Sequence, residues 1–188
     1  APGSDPRALA AEIGAPLVAG EQQPGDGTAP PYAGMLDPTL PAVTIDGPAA
    51  PVCHSNRSLL AMAISMATFV DADRQGPWMS TLPLSRWEGL MGVLIPLYLG
   101  KPLVLPRAGA DPDTLLANIS QQRLSYVVSD LASFAHACRE AKRAAKDARR
   151  VLHAALLAVD GPFDPDQRRR VSKALECPAL TFWGMPET

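Results

Sequence analysis

Few side chains in this sequence carry reactive chemistry, and their spacing narrows what they can do. Cys53 and His54 are neighbours, and a thiol beside an imidazole suggests a nucleophile with its base. Adjacent residues seldom face each other, and no third group is placed to orient the pair. His54 is therefore expected to be a packed or solvated residue at a helix start. His136 shares a helical stretch with Leu131 and Phe134 and reads as structural, and His153 precedes a strand. Neither belongs to a set at metal-ligand spacing. Cys53, Cys138 and Cys177 are odd in number and far apart, with no metal spacing or disulfide framework. A reducing cytoplasm is the expected compartment. Arg139 to Arg150 holds six basic and two acidic residues, but no aromatic side chains interleave for base stacking. A solvated helix end, basic towards its C-terminus, is expected there. The same applies to Arg168, Arg169 and Arg170, so no nucleic-acid partner is expected.

The elements that position these residues follow from capping and periodicity. Asp5-Pro6 opens a helix through Ile13, Pro16–Ala19 reads as a strand, and Gly20–Pro41 as a surface connector rich in Gly, Pro, Asp and Thr. Residues 1–41 thus form an opening unit and 42–188 the main one. Ala42–Ile45 reads as a strand. Ser55 caps a helix to about Val70, with Leu59, Met62, Ala63, Met66 and Phe69 along one stripe. Further strands are expected at Trp78–Leu82, Pro102–Leu105, Tyr126–Val128, Ala154–Val159 and Ala179–Phe182. Between them lie a buried helix at Gly89–Leu99, a helix opened by Asp111-Pro112, one long helix capped by Asp130, and one opened by Asp164-Pro165. Short strands alternating with helices predict an α/β fold: a mostly parallel sheet with helices on both faces. Ligands of such sheets sit beyond the carboxyl ends of the strands. The loops after Ile45, Leu82, Val159 and Phe182 are the ones to search, and Asp160 follows one of those strand ends.

The 188 residues are enough for a real core, and 47% apolar residues suit a globular domain. The net charge of −2 sets up no field favouring nucleic acid or membrane. The richest apolar run, Leu90–Leu99, is interrupted by Gly92 and Pro96, so no membrane span is expected. The N-terminus lacks the order of a signal peptide, and it lacks an initiator Met, which predicts an excised or trimmed piece.

Five stretches in order resemble one family. WMSTLPLSRWEGLMGVLIPLYLGKPLVL, from Trp78 to Leu105, is similar to a strand ending W-L-P-L-Y-H-D-M-G-L and a helix leading into P-L-Y-A-G-x-P-V-V-L. SYVVSDLASFAHAC, from Ser125, resembles the strand and helix that follow. Val159-Asp160-Gly161 stands at a Gly-rich adenine-contacting turn, the final WGMPET resembles Y-G-x-[TA]-E, and HSNRSLLA resembles an H-x-N-L-L helix start. Together they resemble the adenylate-forming, AMP-binding acyl ligases, nearest to the fatty acyl-AMP ligase branch. The similarity implies ATP-dependent adenylation of a fatty or other carboxylic acid, then transfer to a thiol carrier, with ATP and magnesium as cofactors. The rest of a parent polypeptide is the implied partner.

The resemblance assigns Asp160, Gly161, Pro162, Trp183, Gly184 and Met185 to nucleotide binding. It places Arg86, Trp87 and Gly89 at the acyl pocket, and makes Glu187 a remnant magnesium ligand. Met62, Met66 and Met91 are expected as core filler, or as lining of an acyl tunnel. The departures are specific. The family's phosphate loop, of the type T-S-G-T-T-G-x-P-K-G, is replaced by Asp46-Gly47-Pro48-Ala49-Ala50-Pro51-Val52, with one Gly, no hydroxyl and no Lys. Pro48 and Pro51 each remove an N–H donor, and Asp46 repels a triphosphate. Arg86 replaces the usual His, with Trp87 and Glu88 in place of the residues that follow. Pro186 removes a hydroxyl from the last signature, Trp183 replaces Tyr but keeps a stacking face, and Phe163 with Pro162 crowds a turn of small residues. The family's C-terminal lid, with its catalytic Lys, has no counterpart up to Thr188. The expectation is a degenerate, truncated subdomain that does not catalyse adenylation. The alternative is a non-catalytic pseudoenzyme domain used for acyl, nucleotide or protein binding.

Overall fold

The computed structural model describes residues 38–39, 41–45, 51–70, 76–106, 111–159 and 161–184. The chain divides into two units, Ala1–Leu36 and Asp37–Thr188, and the described residues all lie in the second. The expected helix through Ile13, the strand at Pro16–Ala19 and the connector Gly20–Pro41, apart from Pro38, Thr39 and Pro41, fall outside them, as do Asp46–Ala50, Asp160 and Met185–Thr188.

Strand β1 (Pro41–Ile45) pairs antiparallel with β2 (Val52–Ser55) in a two-stranded sheet of their own. This corrects the sequence reading, which placed the first strand in the parallel series and saw no strand at 52–55. VCHS is short, lacks alternating apolar residues and follows Pro51, so its pairing comes from the chain doubling back. Ser55 then caps α1 (Asn56–Phe69) by accepting from the Ser58 amide at 3.2 Å.

The main sheet has five strands: β3 (Trp78–Ser80), β4 (Leu103–Val104), β5 (Tyr126–Asp130), β6 (Ala154–Ala158) and β7 (Ala179–Phe182). They run parallel in the order β4-β3-β5-β6-β7. Between them come α2 (Trp87–Tyr98), α3 (Pro112–Gln121), α4 (Leu131–Glu140), α5 (Lys142–Ala148) and α6 (Pro165–Leu175). The alternation of strand side chains divides the core. Trp78, Tyr126, Val128 and Leu156 pack with Leu59, Trp87, Met91 and Ile95 of α1 and α2. Met79, Val127, Ala155 and Leu157 pack with Leu116, Phe134, Ala145 and Val171 of the other four helices. Every residue of β6 is buried, as a strand covered on both faces requires.

The helix expected to run on from Asp130 is two helices. Ala141 (φ −103, ψ 55) breaks it, closing α4 through Ala137 and opening α5 through Ala145. No Gly or Pro marks the break; Ala141, Ala145 and Ala148 turn inward and are buried. Phe69, expected on the buried stripe of α1, is 67% exposed at the last turn.

The strand order reverses between β3 and β5. The chain leaves β3 over one face to β4, then returns over the other face to β5. Such a switch point opens a crevice at the carboxyl ends of the two strands. Here Thr81 donates its amide to the Val128 carbonyl at 2.9 Å and its hydroxyl to Ser129 Oγ at 2.8 Å.

Candidate functional site

Three elements converge at the carboxyl edge of the sheet. β6 ends at Ala158, and the next residue, Val159, donates its amide to the Phe182 carbonyl at 3.1 Å, which ties it to β7. Gly161 follows with φ +84, in the left-handed region where a side chain would be strained. β7 runs out into Trp183 and Gly184. The third element is the start of α2, where Arg86 is the N-cap residue without a side-chain cap bond.

These ends enclose a hollow of about 420 Å³ lined by Glu88, Val159, Gly161, Phe163, Trp183 and Gly184. Two glycines let a ligand approach the backbone closely, and two exposed aromatic rings offer flat faces. Glu88 is 8% exposed and is, among the described residues, the one charged group lining the hollow. It stands in the first turn of α2, where a carboxylate suits the helix dipole, and Arg86 Nε lies 3.4 Å from its Oε2.

Of the nucleotide-binding residues assigned by resemblance, Gly161, Trp183 and Gly184 come together here, with Pro162 exposed in the adjoining bend. Asp160, Met185 and Glu187 lie outside the described residues. None of the three acyl-pocket candidates lines this hollow. Arg86 stands behind Glu88. Trp87 is buried and stacks on His54 with centroids 4.7 Å apart. At Gly89 a Cβ would fall 2.0 Å from the Pro83 carbonyl oxygen, so Gly89 lets α2 close on the preceding loop. Glu88 was passed over as a lining residue, although a signal for it exists: it is the only charged residue of α2, placed just past a strand end.

The remaining reactive side chains are accounted for by packing. His54 is buried and Cys53 exposed, the alternation of a strand. His136 is exposed beside Arg139 and Glu140, and His153 lies edge-on to Tyr126. Met91 is buried in the core, with Met62 and Met66 partly buried against it. Among the described residues no group of three or more His, Cys, Asp or Glu could hold a metal, and no helix is long and apolar enough to cross a membrane.

The lining fits a flat heterocycle better than it fits a polyphosphate. Val159, Gly161, Phe163, Trp183 and Gly184 would flank a ring, while Glu88 presents a carboxylate where phosphates need a cation or amides.

An α/β domain with a hollow at the carboxyl edge of a parallel sheet is thus defined by fold and geometry. Residues 47–188 match the AMP-binding enzyme family, and the chain belongs to it. No curated protein matches. Solved structures of similar fold include unliganded o-succinylbenzoate coenzyme A synthetase from Bacillus subtilis. It is 19% identical with a TM-score of 0.65, over 78% of this chain and 30% of that one. An acyl-CoA synthetase from Brucella canis is 19% identical with a TM-score of 0.63, over 77% and 27%. A luciferase-like enzyme from the mealworm Zophobas morio is 15% identical with a TM-score of 0.61, over 81% and 36%. The chain spans about a third of the length of these structures.

Proposed function

We propose that this chain is a subdomain of a fatty acyl-AMP ligase or acyl-CoA synthetase-like protein that keeps the adenine side of the site and has lost its grip on the ATP phosphates. The observation carrying this reading is the hollow itself. Gly161, Trp183 and Gly184 surround a space suited to a purine, and among the described residues Glu88 is its one charged wall. The family reaction is adenylation of a carboxylic acid with ATP and magnesium, followed by transfer to a thiol carrier. Adenylation needs cations and amides aimed at the charge developing on phosphorus. The segment Asp46–Val52 offers no Lys, no hydroxyl and two prolines for that purpose. Each tenfold loss of rate corresponds to about 1.4 kcal/mol of missing stabilisation, so a loop of this composition removes most of the family's acceleration. Its partners in the family are a fatty acid or other carboxylate and a thiol carrier, and its free thiols suit a reducing cytoplasm.

A second reading, a non-catalytic domain that binds a nucleotide, an acyl chain or a protein, is favoured by the same loop composition. ATP–pyrophosphate exchange with a panel of fatty acids tests the first reading. No exchange above background is expected from this chain, and measurable exchange overturns its inactivity. Exchange by the full natural polypeptide would decide against the second reading.

A further inference from the structure

We infer that the groove between α4 and α6 is a docking site for an acidic protein segment, which seats one carboxylate side chain against Arg170. The inference is independent of the adenine reading.

Small side chains make the groove. α4 presents Ala132 and Ala135 and α6 presents Ala174, which leaves a hollow of about 240 Å³ between the helices. Phe134, Ala137, Val171 and Leu175 fill the core beneath. The rim carries donors. Gln167 is half-buried, and among the described residues its amide makes no hydrogen bond. Arg139 donates to Glu140 at 2.9 Å and lies 2.8 Å from His136 Nδ1, so its charge is offset. Arg170 makes no ion pair among the described residues. Asp166 feels its charge, but that carboxylate is hydrogen-bonded to Arg169. Arg170 is thus the groove's uncommitted cation.

The surrounding helices add a field of the same sign. α4, α5 and α6 together carry eight Arg or Lys against Glu140, Asp147 and Asp166, and all eleven side chains are exposed. The excess is five positive charges in a chain of net charge −2. Helix dipoles account for Arg139 and Lys173, which stand in last turns, but not for Arg168, Arg169 and Arg170 in mid-helix. A field of this kind steers an acidic partner onto the face. The hollow is smaller than the roughly 300 Å³ at which small-molecule pockets begin, and it suits a single side chain. The methylenes of a glutamate would lie on the alanines, with its carboxylate at Arg170 and the Gln167 amide. A nucleic-acid phosphate is flanked by sugars on both sides, and no Phe, Tyr or Trp lines the groove for base stacking.

The test is fluorescence anisotropy of labelled deca-glutamate and of labelled oligothymidylate of equal length, titrated with the full chain. The peptide is expected to bind the more tightly, and to weaken as salt is raised. Arg170→Gln should weaken it about fivefold, whereas Lys146→Gln, the same charge change on α5 outside the groove, should cost less than about twofold. In a ¹H–¹⁵N spectrum the Gln167 side-chain amide should move on adding the peptide. The inference is overturned if the peptide does not bind at low salt, if the two variants lose affinity equally, or if the Gln167 resonance stays in place. An oligonucleotide bound as tightly as the peptide also overturns it, in favour of a general polyanion surface. Should Arg170→Gln unfold more easily than wild type, the Gln167 resonance and the oligonucleotide comparison decide.

Discussion

Gly89 and Gly92 lie a turn apart on α2, and each is held by what a methyl group would strike. At Gly89 the obstacle is the backbone carbonyl of Pro83, 2.0 Å from an added Cβ. Gly89→Ala must push α2 off the loop and is expected to cost about 3 kcal/mol in urea unfolding. At Gly92 the obstacle is Ser80 Oγ, 2.6 Å away, a hydroxyl 2% exposed and without a hydrogen-bond partner in the structure. A buried unsatisfied hydroxyl is a cost, so Ser80→Ala should be neutral or stabilising by ~1 kcal/mol. Gly92→Ala should then be tolerated better in the Ser80→Ala background, with a coupling of about 1 kcal/mol in a double-mutant cycle. Additive effects would show that Ser80 does not set the space at Gly92. The thiols divide in the same way by packing. Burial pushes Cys138 up to about 12, helped by the nearby Cys177, and burial pushes Cys177 up to about 11. Since the thiolate is the reactive form, a native thiol titration near pH 8 should count one fast cysteine, the exposed Cys53, and three after denaturation. Two fast thiols in the native protein would contradict the packing around α4 and the α6–β7 turn.

At the scale of elements, four helices begin on a side chain that caps them: Ser55, Asp111, Asp130 and Asp164. Each was legible, because a short polar residue ahead of an apolar-periodic run has few other uses. Asp130→Ala should cost α4 about 1 kcal/mol. Asp111 accepts from the Thr114 hydroxyl at 2.7 Å and its amide at 2.9 Å, and these bonds hold its carboxyl below the usual value of 3.8, the hydroxyl first. A depressed folded value means the stabilisation is present above pH 3.8 and fades as pH falls through the folded value. Glu140, lowered by the Arg139 hydrogen bond, and Asp166, lowered by that of Arg169, act in the same direction. Thermal unfolding between pH 5 and 2 should therefore lose stability on acidification, and Asp111→Asn should flatten the curve. An unchanged slope would show that this cap does not contribute. The break at Ala141 was not legible, because alanine neither favours nor forbids it and the buried alanine face selects the turn.

At the scale of the molecule, the family assignment and the parallel sheet agree with the sequence patterns, since burial on both faces forces short apolar strands between capped helices. Legibility was poorer at the site. Gly161, Trp183 and Gly184 were marked by their motifs, yet the third wall, Glu88, lies roughly seventy to a hundred residues before them in the chain and is brought there by the crossing of α2. Trp87, next to it, turns the other way onto His54.

The sequence by itself determined the α/β class, the four capped helix starts, the loops to search and the composition of Asp46–Val52, which has no Lys and no hydroxyl. All of these depend on neighbours along the chain, through capping, periodicity and the absence of Lys and hydroxyls. Tertiary structure alone decided that β1 doubles back on β2, that the long helix breaks, and which residue of Arg86-Trp87-Glu88 faces the hollow. Those outcomes are set by helix rotation and by contact between distant segments, and a one-residue turn of about 100° is enough to exchange a core tryptophan for a carboxylate.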